Sequence, residues 1–145
     1  MAQRFDVSSI GVVESPLTDP AAAPKQGNEG APDAWVVFEP DVLPGLDGLR
    51  PGDRVILLTW LDRADRGVLR VHPRDDPANP ERGVFTTRSQ DRPNPIGLHP
   101  VEVLAVEAGR VRVRNLEAVH GTPVIDVKPE LGPGPDPDDR RRPRG

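Results

Sequence analysis

The 145-residue sequence contains no cysteine, which excludes disulfides and thiolate metal sites. Tyrosine is also absent and aromatics reach only 3%, so platforms for stacking exposed bases are scarce. No run of about 18 apolar residues occurs, so no segment qualifies as a membrane-spanning helix. The opening Met1-Ala2-Gln3-Arg4-Phe5-Asp6 lacks the apolar core of a signal peptide, and a cytoplasmic protein without membrane attachment is the expectation. Neither sign of charge dominates. Lys+Arg 19 against Asp+Glu 23 leaves a formal charge of −4, which argues against a uniformly basic nucleic-acid binder and leaves room only for a local basic patch. His72, His99 and His120 lack metal-ligand spacing, so no metal is expected.

What is abundant is punctuation. Nineteen prolines and fourteen glycines oppose long helices. Valine is frequent and often alternates with charged residues, which favours strands. The length fits one domain with a modest core. Strand-like runs fall at 10–13, 34–38, 54–61, 68–71, 83–86, 101–106, 110–116 and 124–128. Arg110-Val111-Arg112-Val113-Arg114 alternates strictly, with valine on one face and arginine on the other. Val55-Ile56-Leu57-Leu58 is continuous and apolar, the pattern of a strand buried on both faces. Turn signals separate these runs at Pro44-Gly45, Pro51-Gly52-Asp53, Ala108-Gly109 and Gly121-Thr122-Pro123. Many short, closely spaced strands predict an all-β fold, a compact barrel or sandwich. A barrel domain over 1–131 and a flexible Pro/Asp/Arg-rich tail over 132–145 follow from this division.

The densest stretch runs from Gly83 to Leu98, where two arginines and two prolines sit between apolar runs. Each proline fixes its own φ, and each pushes the preceding residue, Arg92 or Asn94, toward an extended shape. Pro93-Asn94-Pro95 is therefore a stiff, non-helical ribbon, and Arg88 and Arg92 are held close to it. That suits a binding site, where donors must be placed before the ligand arrives; it also suits a rigid surface turn with two solvated arginines.

Arg88-Ser89-Gln90-Asp91-Arg92-Pro93-Asn94-Pro95-Ile96-Gly97-Leu98 resembles the signature of the TrmO (TsaA-like, YaeB-like) family. Ile10-Gly11-Val12-Val13-Glu14-Ser15-Pro16-Leu17 followed by Ala23-Pro24-Lys25-Gln26-Gly27 agrees with it, as does the stretch from Glu117 through Gly121-Thr122-Pro123-Val124 to Lys128-Pro129. The resemblance implies a small antiparallel β-barrel that pairs as a homodimer, with S-adenosylmethionine as cofactor. It implies methyl transfer to N6 of threonylcarbamoyladenosine beside the anticodon of a tRNA. Carried over residue by residue, the family's donor-binding positions fall on Pro24, Lys25, Gln26, Asp62, Arg63, Arg88, Leu98, Leu116, Glu117 and Ala118. Asp62 replaces the family's histidine, Gln90 a proline and His120 a common aspartate. The second domain of bacterial members, thought to help hold tRNA, is lacking here, and Arg140-Arg141-Arg142-Pro143-Arg144 is a candidate phosphate contact.

In physical terms, Arg88 can pair bidentately with a carboxylate. Glu117 can accept from ribose hydroxyls or an amine, and Leu98 can pack on adenine. Each has a structural alternative. Lys25 and Gln26 read alone as solvated loop residues, and the stretch from Asp62 to Arg66 as a charged hairpin end. Asp126 and Lys128 share a strand face and suit an ion pair, and His99 reads as a surface histidine. The apolar face of 110–116 is the candidate dimer surface. No general base stands out. A small-molecule methyltransferase and a non-catalytic S-adenosylmethionine-binding barrel are the competing readings.

Overall fold

Alternation of apolar residues on short strands produces a sheet with one buried face, and here that sheet curls until its ends meet. The computed structural model describes residues 2–19, 21, 23–24 and 29–132. The strands are β1 (Gly11–Glu14), β2 (Ala34–Phe38), β3 (Arg54–Trp60), β4 (Arg70–Val71), β5 (Arg82–Gly83), β6 (Ile96–Glu107), β7 (Arg110–Val113) and β8 (Pro123–Pro129). Six of them form one antiparallel sheet in the order β1-β2-β7-β6-β3-β8. β8 returns to β1 through Gly11↔Val124 and Val12↔Pro123, which closes the barrel. β4 and β5 form a separate two-stranded ribbon.

The mainly-β expectation is met, with local corrections. The run at 83–86 is not a strand past Gly83. Val84–Thr86 is a 3-10 turn, held by Thr86 Oγ1 donating to the Gly83 carbonyl at 2.8 Å and Thr87 Oγ1 to that of Val84 at 3.1 Å. β6 starts at Ile96, five residues before the expected start at 101. Pro100 lies within the added stretch. It is tolerated because residues 96–102 pair only with β3, so β6 is an edge at that point. Val55-Ile56-Leu57-Leu58 is not buried on both faces: Val55 and Leu57 enter the core, whereas Ile56 and Leu58 stay half-exposed outside. The tail from 133 onward lies outside the described residues.

Inward positions build the core from Val13, Val36, Val55, Leu57, Val101, Val103, Val111, Val113, Leu116 and Val124. Burial of each such side chain stabilises by about 1.5–3 kcal/mol. An antiparallel closed sheet sends alternate connections to opposite rims. The segments 15–33, 61–95 and 114–122 therefore leave one rim, and 39–53 and 108–109 leave the other. The second rim is sealed by apolar residues. The 3-10 helix Pro40–Leu46 and the turn after it pack Val42, Leu43, Leu46 and Leu49 against the core. The first rim is polar inside, with Thr59, His99 and Thr122 buried.

Leu116, which the resemblance placed in the donor site, is fully buried in this core. Leu116→Ala should lower unfolding stability by about 2–5 kcal/mol. Urea unfolding should show a reduced midpoint at unchanged slope; a midpoint equal to the parent's would contradict the core assignment.

Candidate functional site

The long rim segment 61–95 is rigid because its polar groups are spent on itself. Proline nitrogens donate nothing, so the ribbon at 93–95 offers its carbonyls, the single Asn94 amide and the Asn94 side chain. Arg66 takes both: Nε donates to the Pro93 carbonyl at 2.7 Å and Nη2 to Asn94 Oδ1 at 3.0 Å. Its guanidinium also lies 5.2 Å from the Trp60 ring centre. The Leu61 amide donates to the Pro95 carbonyl at 2.8 Å, and the Asp65 amide to Asp91 Oδ1 at 2.8 Å. On the other flank, Arg92 Nη2 donates to the carbonyls of Val84 and Thr87. Val84 itself is buried and pins the turn.

Arg92 is thus a brace. Arg88 differs: it is exposed and makes no hydrogen bond or ion pair among the described residues. A cation with no internal partner, on a loop that is already ordered, is available to an anion at low entropic cost.

The other site residues assort by depth. Asp62 and Arg63 are exposed on the turn after β3, beside the braced ribbon. Leu98 lies on the outer barrel face, 42% exposed and directly opposite Leu58. Leu116 and Ala118 point into the core, so they can meet a ligand only through backbone atoms. Glu117 lies between them, and its side chain is 15% exposed. Pro24 is half-buried on the same rim, while Lys25 and Gln26 lie outside the described residues.

One prominent polar feature was misread from sequence. His99 is not a surface residue; it is 5% exposed. Its Nδ1 lies 2.5 Å from Glu117 Oε1 and its Nε2 2.7 Å from Thr59 Oγ1. The signal was present in the pattern Gly97, His99, Val101, Val103, an inward alternation that a strand beginning at Ile96 makes visible. Gly97 is required there, because a Cβ would overlap Thr59 Oγ1 and come within 2.6 Å of His99 Nε2.

The outer surface also corrects the expected dimer face. Val111 and Val113 are core residues, so the apolar side of 110–116 is already covered. Its arginines face out, paired with acids: Arg110 with Glu107 at 2.9 Å, Arg112 with Asp33 at 3.8 Å and Arg114 with Glu102 at 3.4 Å. The uncovered apolar face is on β3 and β6, where Ile56, Leu58 and Trp60 stand opposite Pro100, Leu98 and Ile96. Asp126 and Lys128 form the ion pair their spacing suggests, at 3.2 Å.

A closed antiparallel barrel with an arginine-braced Arg-Pro-Asn-Pro ribbon on one rim is unlike the doubly wound sheets that bind nucleotides at strand ends. The chain belongs to the TrmO family: the family model described as the tRNA-methyltransferase O N-terminal domain matches residues 12–132. An S-adenosyl-L-methionine-binding protein of Archaeoglobus fulgidus is 45% identical over 119 residues, covering 82% of this chain and 84% of that one. A probable S-adenosyl-L-methionine-binding protein of Methanothermobacter thermautotrophicus is 44% identical over 124 residues, 85% of this chain and 88% of that one. The crystal structure of TrmO from Pseudomonas aeruginosa matches with a TM-score of 0.71 at 30% identity, over 89% of this chain and 57% of that one. The chain thus spans little more than half the length of that solved structure.

The two loop arginines should separate on stability. Arg92→Ala strips the Thr87 carbonyl of its donor and the Val84 carbonyl of one of its three, and should cost about 1–3 kcal/mol. Arg88→Ala should change stability by no more than about 0.5 kcal/mol. Denaturant melts of both variants test this, and equal losses would refute the division between brace and free cation.

Proposed function

We propose that the loop-bearing rim binds S-adenosylmethionine and that the protein is a methyltransferase acting on N6 of threonylcarbamoyladenosine beside the anticodon of tRNA. The observation that carries the reading is Arg88, a guanidinium with no hydrogen bond or ion pair among the described residues, on a braced loop, in a chain whose relatives are named for S-adenosylmethionine binding. The residues fit such a donor. Arg88 matches its carboxylate in a charge-assisted, bidentate geometry. The free oxygen of Glu117 matches its ammonium or ribose hydroxyls. The outer apolar pair Leu58 and Leu98, with Trp60 beside it, offers a surface for adenine. When bound, the donor supplies an electrophilic methyl on a sulfonium. The protein's part is to hold that methyl in line with the acceptor nitrogen, while the nitrogen's proton leaves to water or a base.

A second copy is the proposed occupant of the β3/β6 outer face, where Ile96 and Leu98 are 40% and 42% exposed amid a row of apolar neighbours. Because Leu98 is also a donor-site position, pairing would wall the site from the open side. Action on tRNA places the protein in the cytoplasm. A small-molecule acceptor is the second reading. It is favoured by the pairing of Arg110, Arg112 and Arg114 with acids, which leaves that strand little free charge for phosphates.

Calorimetry should show S-adenosylmethionine binding, and Arg88→Ala should weaken it by about 1.5–3 kcal/mol, more than Arg92→Ala. No heat at millimolar donor would overturn the reading. Light scattering should give twice the chain mass; a single chain mass at micromolar concentration with donor present would refute pairing. Mass spectrometry of nucleosides after incubation of threonylcarbamoylated tRNA with protein and labelled donor should reveal the labelled methyl. Donor binding without tRNA methylation would shift the assignment to a small-molecule acceptor.

A further inference from the structure

A hydroxyl, an imidazole and a carboxylate are joined in a row inside a barrel whose core is mostly valine. Thr59 lies on β3, His99 on β6, and Glu117 on the segment entering β8. Burying an imidazole is unfavourable unless both ring nitrogens are satisfied. Here both are, and among the described residues no buried side-chain nitrogen or oxygen lacks a partner. The roles follow from the groups. An ionised carboxylate only accepts, so Nδ1–H donates to Glu117. Nε2 then pairs with the Thr59 hydroxyl, which can either donate or accept. Each group thereby fixes the next.

The arrangement has a direction. Thr59 is fully buried and His99 nearly so, while the Glu117 side chain is 15% exposed at the loop-bearing rim. Its Oε1 is held by His99, and its second oxygen accepts no hydrogen bond from the described residues. A polar row serving only stability would not need to end in a half-satisfied carboxylate at the one rim without an apolar seal. Gly97 points the same way, since any side chain there would push Thr59 and His99 apart.

We infer that Thr59 and His99 are positioning residues that lock the Glu117 carboxylate in one orientation, with its free oxygen presented to a hydrogen-bond donor of the bound ligand. The ligand group is an ammonium or a vicinal diol. The inference rests on the S-adenosylmethionine reading and assigns that donor's ammonium or ribose hydroxyls to Glu117. A carboxylate held in advance loses no rotamer freedom on binding, so removal of the lock weakens affinity although neither Thr59 nor His99 touches the ligand.

Two substitutions split the role of His99. The amide nitrogen of asparagine sits at the chain length of Nδ1 and that of glutamine at the chain length of Nε2. His99→Asn keeps the bond to Glu117 and gives up the one to Thr59; His99→Gln does the reverse. Calorimetry with S-adenosylmethionine should show His99→Asn within about 3-fold of the parent and His99→Gln at least about 10-fold weaker. Equal affinities would overturn the inference, as a purely structural histidine would lose the same in both. If either variant fails to fold, the parent decides: with 15N-labelled histidine, the His99 Nδ1–H resonance should move when donor saturates the protein. A resonance that stays in place at saturation overturns the inference and leaves donor binding standing. Parent protein that binds no donor overturns the proposed function and this inference together.

Discussion

Everything in this molecule depends on the closure of β8 onto β1, where Gly11 pairs with Val124 and Val12 with Pro123, and the Val13 amide donates to the Thr122 carbonyl. Gly11 also lets β1 lie close to β2, because a side chain there would run into the Val37 carbonyl. Once the sheet is closed, the parity of antiparallel strands sorts the connections. The short or apolar ones gather at one rim and seal the core with Val42, Leu43, Leu46 and Leu49. The remaining three gather at the other, where Thr59, His99 and Thr122 replace apolar residues inside. Separating stability from recognition is thus a consequence of topology, with Ser15 and His120, 105 positions apart in sequence, meeting at one edge.

The same residue type performs three tasks at that edge. Arg66 satisfies the proline ribbon, Arg92 the carbonyls of the turn at 84–87, and Arg88 makes no hydrogen bond or ion pair among the described residues. Two guanidiniums are spent on making the loop rigid, so the third can be placed before any ligand arrives. Because most of the ordering entropy is lost on folding, a contact to Arg88 converts more of its energy into affinity than it would on a mobile loop.

Much of this was legible in the sequence where a local rule governs. The alternation of Arg110 to Arg114 gave the correct inner and outer faces, and the prolines at 93 and 95 gave the stiff ribbon. The failures fall where a neighbour decides. The first five residues of β6 were missed, because a strand containing Pro100 is allowed only where it is an edge, and only the pairing map shows that. With that start missed, His99 lost its inward phase and looked like a surface histidine. Ile56 and Leu58 looked buried because an apolar outer face cannot be told from a core face by composition. The partners of Arg66 lie 27 and 28 positions along the chain and left no local signal at all.

The account's central claim is that S-adenosylmethionine binds at the loop-bearing rim. Amide chemical-shift mapping of 15N-labelled protein during donor titration tests it most directly. The amides of 61–66, 87–98 and 116–120 should move, and those of 39–53 and 108–109 at the sealed rim should not. Saturable shifts confined to the sealed rim, or spread without regard to it, would contradict the account.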